Sequence, residues 1–416
     1  MRTIRLAVAL MCVGSWSACS KPAAEQPGQP GETPEETAAA PEKKEAEEIK
    51  IGQTMPYSGP ASAYGTIGKV SAAYFKKVNE EGGVNGRKLN LLSLDDSYAP
   101  PKTVEQTRKL VEQDGVLLMF NSLGTATNTA VQKYLNTKHV PQLFISTGAT
   151  KWGDPKQFPW TMALNPTYQL EGKTYAAHIL ANSPKAKIAV LYQNDDYGKD
   201  LLKGLEDGLG AAAKQIVARS TYEVTDTTID SQLATLQASK ATVFVNISTP
   251  KFAAMAVRRI HDSGWKPKHY LNQSGASIAA VLKPAGPDKA IGALTIGYFK
   301  DPTDSQYDND PDMQRYKEFL KKYYPEGDPN DGSNAYGYIA AQAIVQVLKQ
   351  CGTELTPENV MKQAASLKDF KPELLLPGVA MNTGADDFFP FDQVNIAKFN
   401  GKNWVAENDA PPAKVN

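Results

Sequence analysis

In KIAVLYQNDDYGKD, residues 187–200, a short apolar run stops at a polar turn and a helical pattern begins at once. Ile188, Ala189, Val190 and Leu191 form the continuous apolar strand of a parallel sheet buried on both faces. The carboxyl end of such a strand is where open α/β sheets hold ligands. Here that end carries Gln193, Asn194, Asp195, Asp196 and Tyr197, then Gly198, which can take the positive φ a tight turn needs.

A chain of 416 residues suits two domains, each with its own core. Its 45 basic residues balance 45 acidic ones, so no net field draws it to nucleic acid or anionic lipid. The first residues read as a secretory signal: Arg2 and Arg5, an apolar run over 6–13 too short to span a bilayer, then small residues before Cys19. Residues 20–48 hold five prolines and eight glutamates with no aromatic or large aliphatic residue, so they are expected to be a disordered linker. At ~5–6 Å × √n such a linker reaches roughly 30 Å. Cys12 and Cys19 belong to the targeting segment, which leaves Cys351 alone in the body and excludes a disulfide there.

From Ile49 onward strand and helix signals alternate. Strand-like runs lie at 49–54, 88–94, 115–120, 140–145, 187–192, 242–247 and 291–299. Helical faces fall between them: Val104, Thr107, Leu110 and Val111; Leu201, Leu202, Leu205 and Leu209; Phe252, Met255, Ala256 and Ile260. The pattern predicts an α/β protein with parallel sheets and right-handed crossovers in two blocks, four strands in the first and a second restarting at Lys187. The stretch 151–165, rich in turn formers and aromatics, reads as a crossing between them.

Catalytic constellations are missing. There is no G-x-S-x-G elbow, no phosphate-binding G-x-x-x-x-G-K-[ST] loop, no G-x-G-x-x-G and no H-E-x-x-H. His139, His178, His261 and His269 lack metal-ligand spacing. The pairs Asp95–Asp96 and Asp195–Asp196 sit in strand-end turns, where carboxylates cap or meet solvent rather than pair as acid and base. No enzyme, metal or organic cofactor is implied.

The strand ends offer hydroxyls, glycines and tyrosines instead: Tyr57, Ser58, Tyr64 and Gly65 after the first; Ser122, Gly124, Thr125 and Thr127 after the third; Ser146, Gly148, Ala149 and Thr150 after the fourth. Helix N-termini preceded by such residues expose N–H groups that suit a carboxylate. Any one of Ser122, Thr125 and Thr150 can equally be a helix cap.

The segments IKIGQTMPYSGPASAYG, EEGGVNGRKLNLLSLDD, FNSLGTATN, FISTGATKWGDP and VLYQNDDYGKD, in order, resemble the type I periplasmic binding proteins of the branched-chain amino acid group, solute receptors of ABC importers. The similarity covers residues 49–405. It implies two Rossmann-like lobes joined by a three-strand hinge, with ligand in the cleft. The lobes would be 49–165 plus roughly 298–370, and 166–297 plus roughly 371–409. Gly124 and Thr125, with Gly148, Ala149 and Thr150, match the segments that hold a ligand carboxylate. Tyr64 and Tyr197 match tyrosines contributed by the two lobes, although each can also simply fill the closed interface. Cys19, after Ser17 and Ala18, is similar to the lipidated cysteine of a lipobox, except that Trp16 stands where the family prefers Leu; an ordinary cleaved signal is the alternative.

One departure bears on the ligand. Where amino acid receptors hold the ammonium with carboxylates, this chain has Gln273 and Ser274 at one place and Asn165 at the other. Burying an ammonium without a carboxylate partner is costly, so an acid without an amine is expected, with an aromatic or aliphatic body. About ten heavy atoms suffice for the ~8 kcal/mol of micromolar binding. The reading is a monomeric, extracytoplasmic, lipid-anchored receptor that closes on its ligand and hands it to a membrane permease, with no nucleic-acid partner. A receptor for branched-chain amino acids or short amides, or the sensing module of a signalling system, are the alternatives.

Overall fold

The computed structural model describes residues 48–407 and 413–414. The signal segment, Cys19, the linker up to residue 47 and residues 408–412 lie outside them.

The first sheet runs β1 (Ile49–Met55), β2 (Leu89–Asp95), β3 (Leu118–Phe120), β4 (Gln142–Ile145) and β5 (Thr161–Ala163), in the order β2-β1-β3-β4-β5 and all parallel. Its crossovers carry α1 (Thr66–Glu80), α2 (Pro100–Arg108) and α3 (Thr125–Lys138). Ile51, Leu118, Phe120 and Leu143 are fully buried, as strands covered on both faces must be.

The second lobe begins with α4 (Tyr168–Asn182) and β6 (Ile188–Gln193), followed by α5 (Asp196–Leu209), β7 (Ile216–Tyr222), α6 (Asp230–Ala238), β8 (Val243–Ile247), α7 (Pro250–Asp262), β9 (Lys268–Leu271), the short α8 (Lys283–Ala285) and β10 (Leu294–Gly297). The chain then returns to the first lobe, where α9 (Pro311–Tyr323) and α10 (Gly332–Gln350) pack on α1, and α11 (Pro357–Ala364) packs on α10. It crosses back to add β11 (Gln393–Phe399), β12 (Trp404–Ala406) and β13 (Ala413–Lys414). The sheet order is β12-β11-β10-β9-β8-β6-β7, with β13 paired to β11. Three segments therefore pass between the lobes: β5 to α4, β10 to α9, and α11 to β11.

Two sequence expectations need correction. The second sheet is not wholly parallel, because β11, β12 and β13 pair antiparallel at its edge. The first sheet has a fifth strand, β5, inside the stretch expected to be only a crossing.

α5 shows how a local sequence sets an element. Leu201, Leu202, Leu205 and Leu209 form the buried face, and Asp195 caps the start by accepting the Gly198 N–H at 3.2 Å. Gly198 is not at positive φ. It is glycine because a Cβ there would lie 2.1 Å from the Gln193 carbonyl oxygen. Strand and helix are pressed together at this turn.

Candidate functional site

Both sheets reverse direction of winding beside a central strand: β1 has β2 and β3 on opposite sides, and β6 has β7 and β8. Ligands of open α/β sheets sit outside the carboxyl ends of strands at such switch points. The two switch points face each other across the cleft, and a cavity of about 180 Å³ lies between them.

From the first lobe, α3 presents Gly124 and Thr125 to this cavity. The helix has no side-chain cap, so its first-turn N–H groups and positive dipole end are left for another acceptor. Gly124 sits at φ +101°, and a Cβ there would meet the Tyr98 ring at 2.5 Å and the Thr127 hydroxyl at 2.7 Å. The Thr125 and Thr147 hydroxyls share a hydrogen bond at 2.6 Å.

Tyr64, Tyr98, Tyr168 and Tyr197 wall the same space. Tyr98 is aimed by the acidic pair of the strand end. Asp95 accepts the Ser97 N–H at 3.0 Å and Asp96 the Tyr98 N–H at 2.9 Å, holding both residues in the left-handed region at φ +53° and +59°. The Tyr168 and Tyr197 rings lie 5.0 Å apart. The Tyr197 hydroxyl is buried with no hydrogen-bond partner.

The lobes are drawn together around the cavity. The Tyr64 hydroxyl donates to the Ser274 carbonyl at 2.7 Å, and the Ser277 hydroxyl to Asp331 Oδ1 at 3.1 Å. Thr150 donates from its N–H and hydroxyl to Asp200 Oδ2 at 2.7 and 2.9 Å, and Lys151 pairs with Asp196 at 2.6 Å. Thr150 is thus spent on the interlobe contact, and neither it nor Gly148 nor Ala149 lines the cavity. Gly148 instead accepts the Tyr168 N–H at 2.7 Å, placing that ring.

Gln273, Ser274 and Asn165 all line the cavity. Asn165 Oδ1 accepts from the Tyr336 hydroxyl at 2.7 Å. The Gln273 N–H donates to Glu171 Oε1 at 2.7 Å, and the Tyr175 hydroxyl donates to the same oxygen at 2.7 Å. Burial holds the Glu171 carboxyl at about 7, against these two bonds, which favour its ionised form. Tyr98, Tyr168, Thr249, Thr295 and Tyr336 also line the cavity and were not singled out from sequence. Tyr98 and Tyr168 follow a strand end and a crossing, the signal that did select Tyr64 and Tyr197.

No group of three or more His, Cys, Asp and Glu among the described residues could hold a metal ion. No helix among them is long and apolar enough to cross a membrane. Cys351 is buried, and burial pushes its thiol up to about 11, away from reactivity.

The family described as periplasmic binding protein matches residues 48–403. The Leu/Ile/Val-binding protein homolog 7 of Brucella abortus (strain 2308) is 23% identical over 370 residues, covering 86% of this chain and 89% of that protein. The solved structure of a branched chain amino acid ABC transporter from Thermus thermophilus with bound valine superposes with a TM-score of 0.79 at 18% identity, covering 89% of this chain and 97% of that one. A fatty acid ABC transporter substrate-binding protein from Thermomonospora curvata superposes with a TM-score of 0.72 at 21% identity, covering 89% and 96%. These relatives are solute-binding proteins of transporters, not enzymes, and the chain belongs to the periplasmic binding protein family.

Proposed function

We propose that the protein captures a small organic acid, aromatic or aliphatic, by closing its two lobes on it and presenting the closed form to an ABC permease. The observation that carries this is the uncapped first turn of α3 opening onto a tyrosine-walled cavity, with neutral Asn165, Gln273 and Ser274 on the same wall. The first-turn N–H groups of α3, from Thr125 onward, would take the carboxylate and the tyrosines the body, the Gly124 N–H being held by the Ser146 carbonyl at 3.2 Å. Gly148, Ala149 and Thr150 would act one step removed, through Tyr168 and the contact to Asp200. Ligand would shift an open ensemble to the closed one, since parting the lobes would break the Tyr64–Ser274 bond and withdraw Tyr197.

Family membership places the chain outside the cytoplasm. A lipid on Cys19 with the Pro/Glu linker behind it would keep a monomeric receptor within reach of its permease. A thermal-shift screen of branched-chain amino acids, aromatic acids, short fatty acids and amides tests the ligand class, since bound ligand stabilises by RT ln(1 + [L]/Kd). Acids should raise the melting temperature and leucine should not.

The second reading is an amino acid receptor, favoured by the relatives' names and by Glu171, whose carboxylate lies behind Gln273. A shift with leucine, isoleucine or valine and none with acids selects it.

A further inference from the structure

The cavity does not stop at the interlobe cleft. Its wall starts at the carboxyl edge of the second sheet and turns inward over β11 and β12, taking residues from five neighbouring strands or their end turns: Thr249 after β8, Gln273 after β9, Gly297 of β10, Asn395 of β11 and Ala406 of β12, the last level with Thr295. Neighbouring strands lie ~4.8 Å apart, so the lining residues spread over roughly 19 Å of sheet, several times the ~3.5 Å of one extended residue. The far half is flanked by the segment 273–282, tied down where the Trp404 indole N–H donates to the Ala276 carbonyl at 2.9 Å. Ile278, Ile296, Phe299, Leu376, Ile396 and Trp404 give it an apolar lining.

The acidic residues at its end are turned to their own loop: Asp301 accepts from Thr303 at 2.8 Å and Asp304 from the Gln306 N–H at 3.1 Å. Two polar side chains on the wall are buried without partners, the Tyr197 and Thr295 hydroxyls, each 3% exposed. Gly297 is free of positive φ, and a Cβ built on it meets nothing within 4 Å. A side chain there would project into open channel.

We propose that the far half is a channel for the tail of a medium-chain organic acid, whose carboxylate sits at the α3 N-terminus and whose chain runs along β10 and β11 to Trp404. The assignment rests on the carboxylate reading above and goes beyond it in fixing the chain length. Thr295 marks where a polar substituent on that chain would be paired.

The test is calorimetric titration of the mature protein with benzoate and with decanoate, in the wild type and in Gly297→Phe. Wild type should bind both, and the ratio of the decanoate Kd to the benzoate Kd should rise about tenfold or more in the variant. A readout independent of that variant is fluorescence: 10-bromodecanoate should quench Trp404, and the quench should disappear in Trp404→Phe. Benzoate binding with decanoate excluded, or decanoate bound with Trp404 unquenched, overturns the channel and leaves the carboxylate reading standing. Failure of every acid, short or long, defeats the carboxylate reading and the channel with it.

Discussion

The Tyr197 hydroxyl is buried without a partner, an arrangement that costs stability unless a ligand completes it. Tyr197→Phe should therefore leave the unliganded protein as stable as wild type or slightly more so, by up to ~1 kcal/mol, while weakening the acid about fivefold to tenfold; urea unfolding and titration check the two halves. Gly124→Ala should behave differently. Its Cβ would meet the Tyr98 ring at 2.5 Å and its φ is left-handed, so a loss of roughly 1–3 kcal/mol in unfolding free energy should accompany the loss of binding. Glu171 supplies a pH signature. Its folded-state value of about 7 exceeds the ordinary 4.5, so the native protein holds this proton longer than the unfolded chain. The contribution is fully present below about pH 4.5 and is lost as pH rises through about 7. Between those limits wild type should lose about 3 kcal/mol more than Glu171→Gln, read from urea unfolding at each pH; parallel curves would remove Glu171 as the source. Gly124, Thr125 and Tyr197 were legible as candidates because each follows a strand end directly. Thr150 follows one too, yet its partner Asp200 lies 50 residues on in the other lobe, and no local pattern announces that contact.

At the scale of elements, the largely apolar runs β3, β6 and β8 were legible because burial on both faces leaves no alternation to misread. β7 was not, since its residues alternate between buried and exposed at a sheet edge and mix Arg219, Ser220 and Thr221 into the pattern. β5, β9 and β12 are three or four residues long and, unlike β3 within 116–120, do not lie inside a longer apolar run. β11 belongs to the second sheet although nearly 100 residues separate it from β10, a pairing set by the third crossing rather than by local sequence. The turn at Thr150 and the helix α5 form an interlobe latch through Asp200, which also accepts from the Gln169 amide at 2.8 Å. Asp200→Ala removes every one of these bonds without touching the cavity wall. It should raise the radius of gyration of the unliganded protein in X-ray scattering and weaken the ligand severalfold, mainly through faster release. An unchanged scattering curve and affinity would mean that the latch carries no part of closure.

At the scale of the whole molecule, two switch points meet across one cleft, and the site is assembled from both lobes and from the segments that join them. That architecture is shared with relatives whose names specify amino acids and with one named for fatty acids, so fold does not choose the ligand. On the proposed reading the choice falls to Asn165 and Gln273, which line the cavity as neutral amides and would meet the α-carbon substituent where an ammonium would need a carboxylate. Leucine and 4-methylpentanoate differ only in that amine, which makes calorimetric titration of this pair the most direct measurement. 4-Methylpentanoate should bind at least about tenfold more tightly than leucine, a difference of ~1.4 kcal/mol. Leucine binding as tightly as its deaminated twin, or more so, would contradict the account.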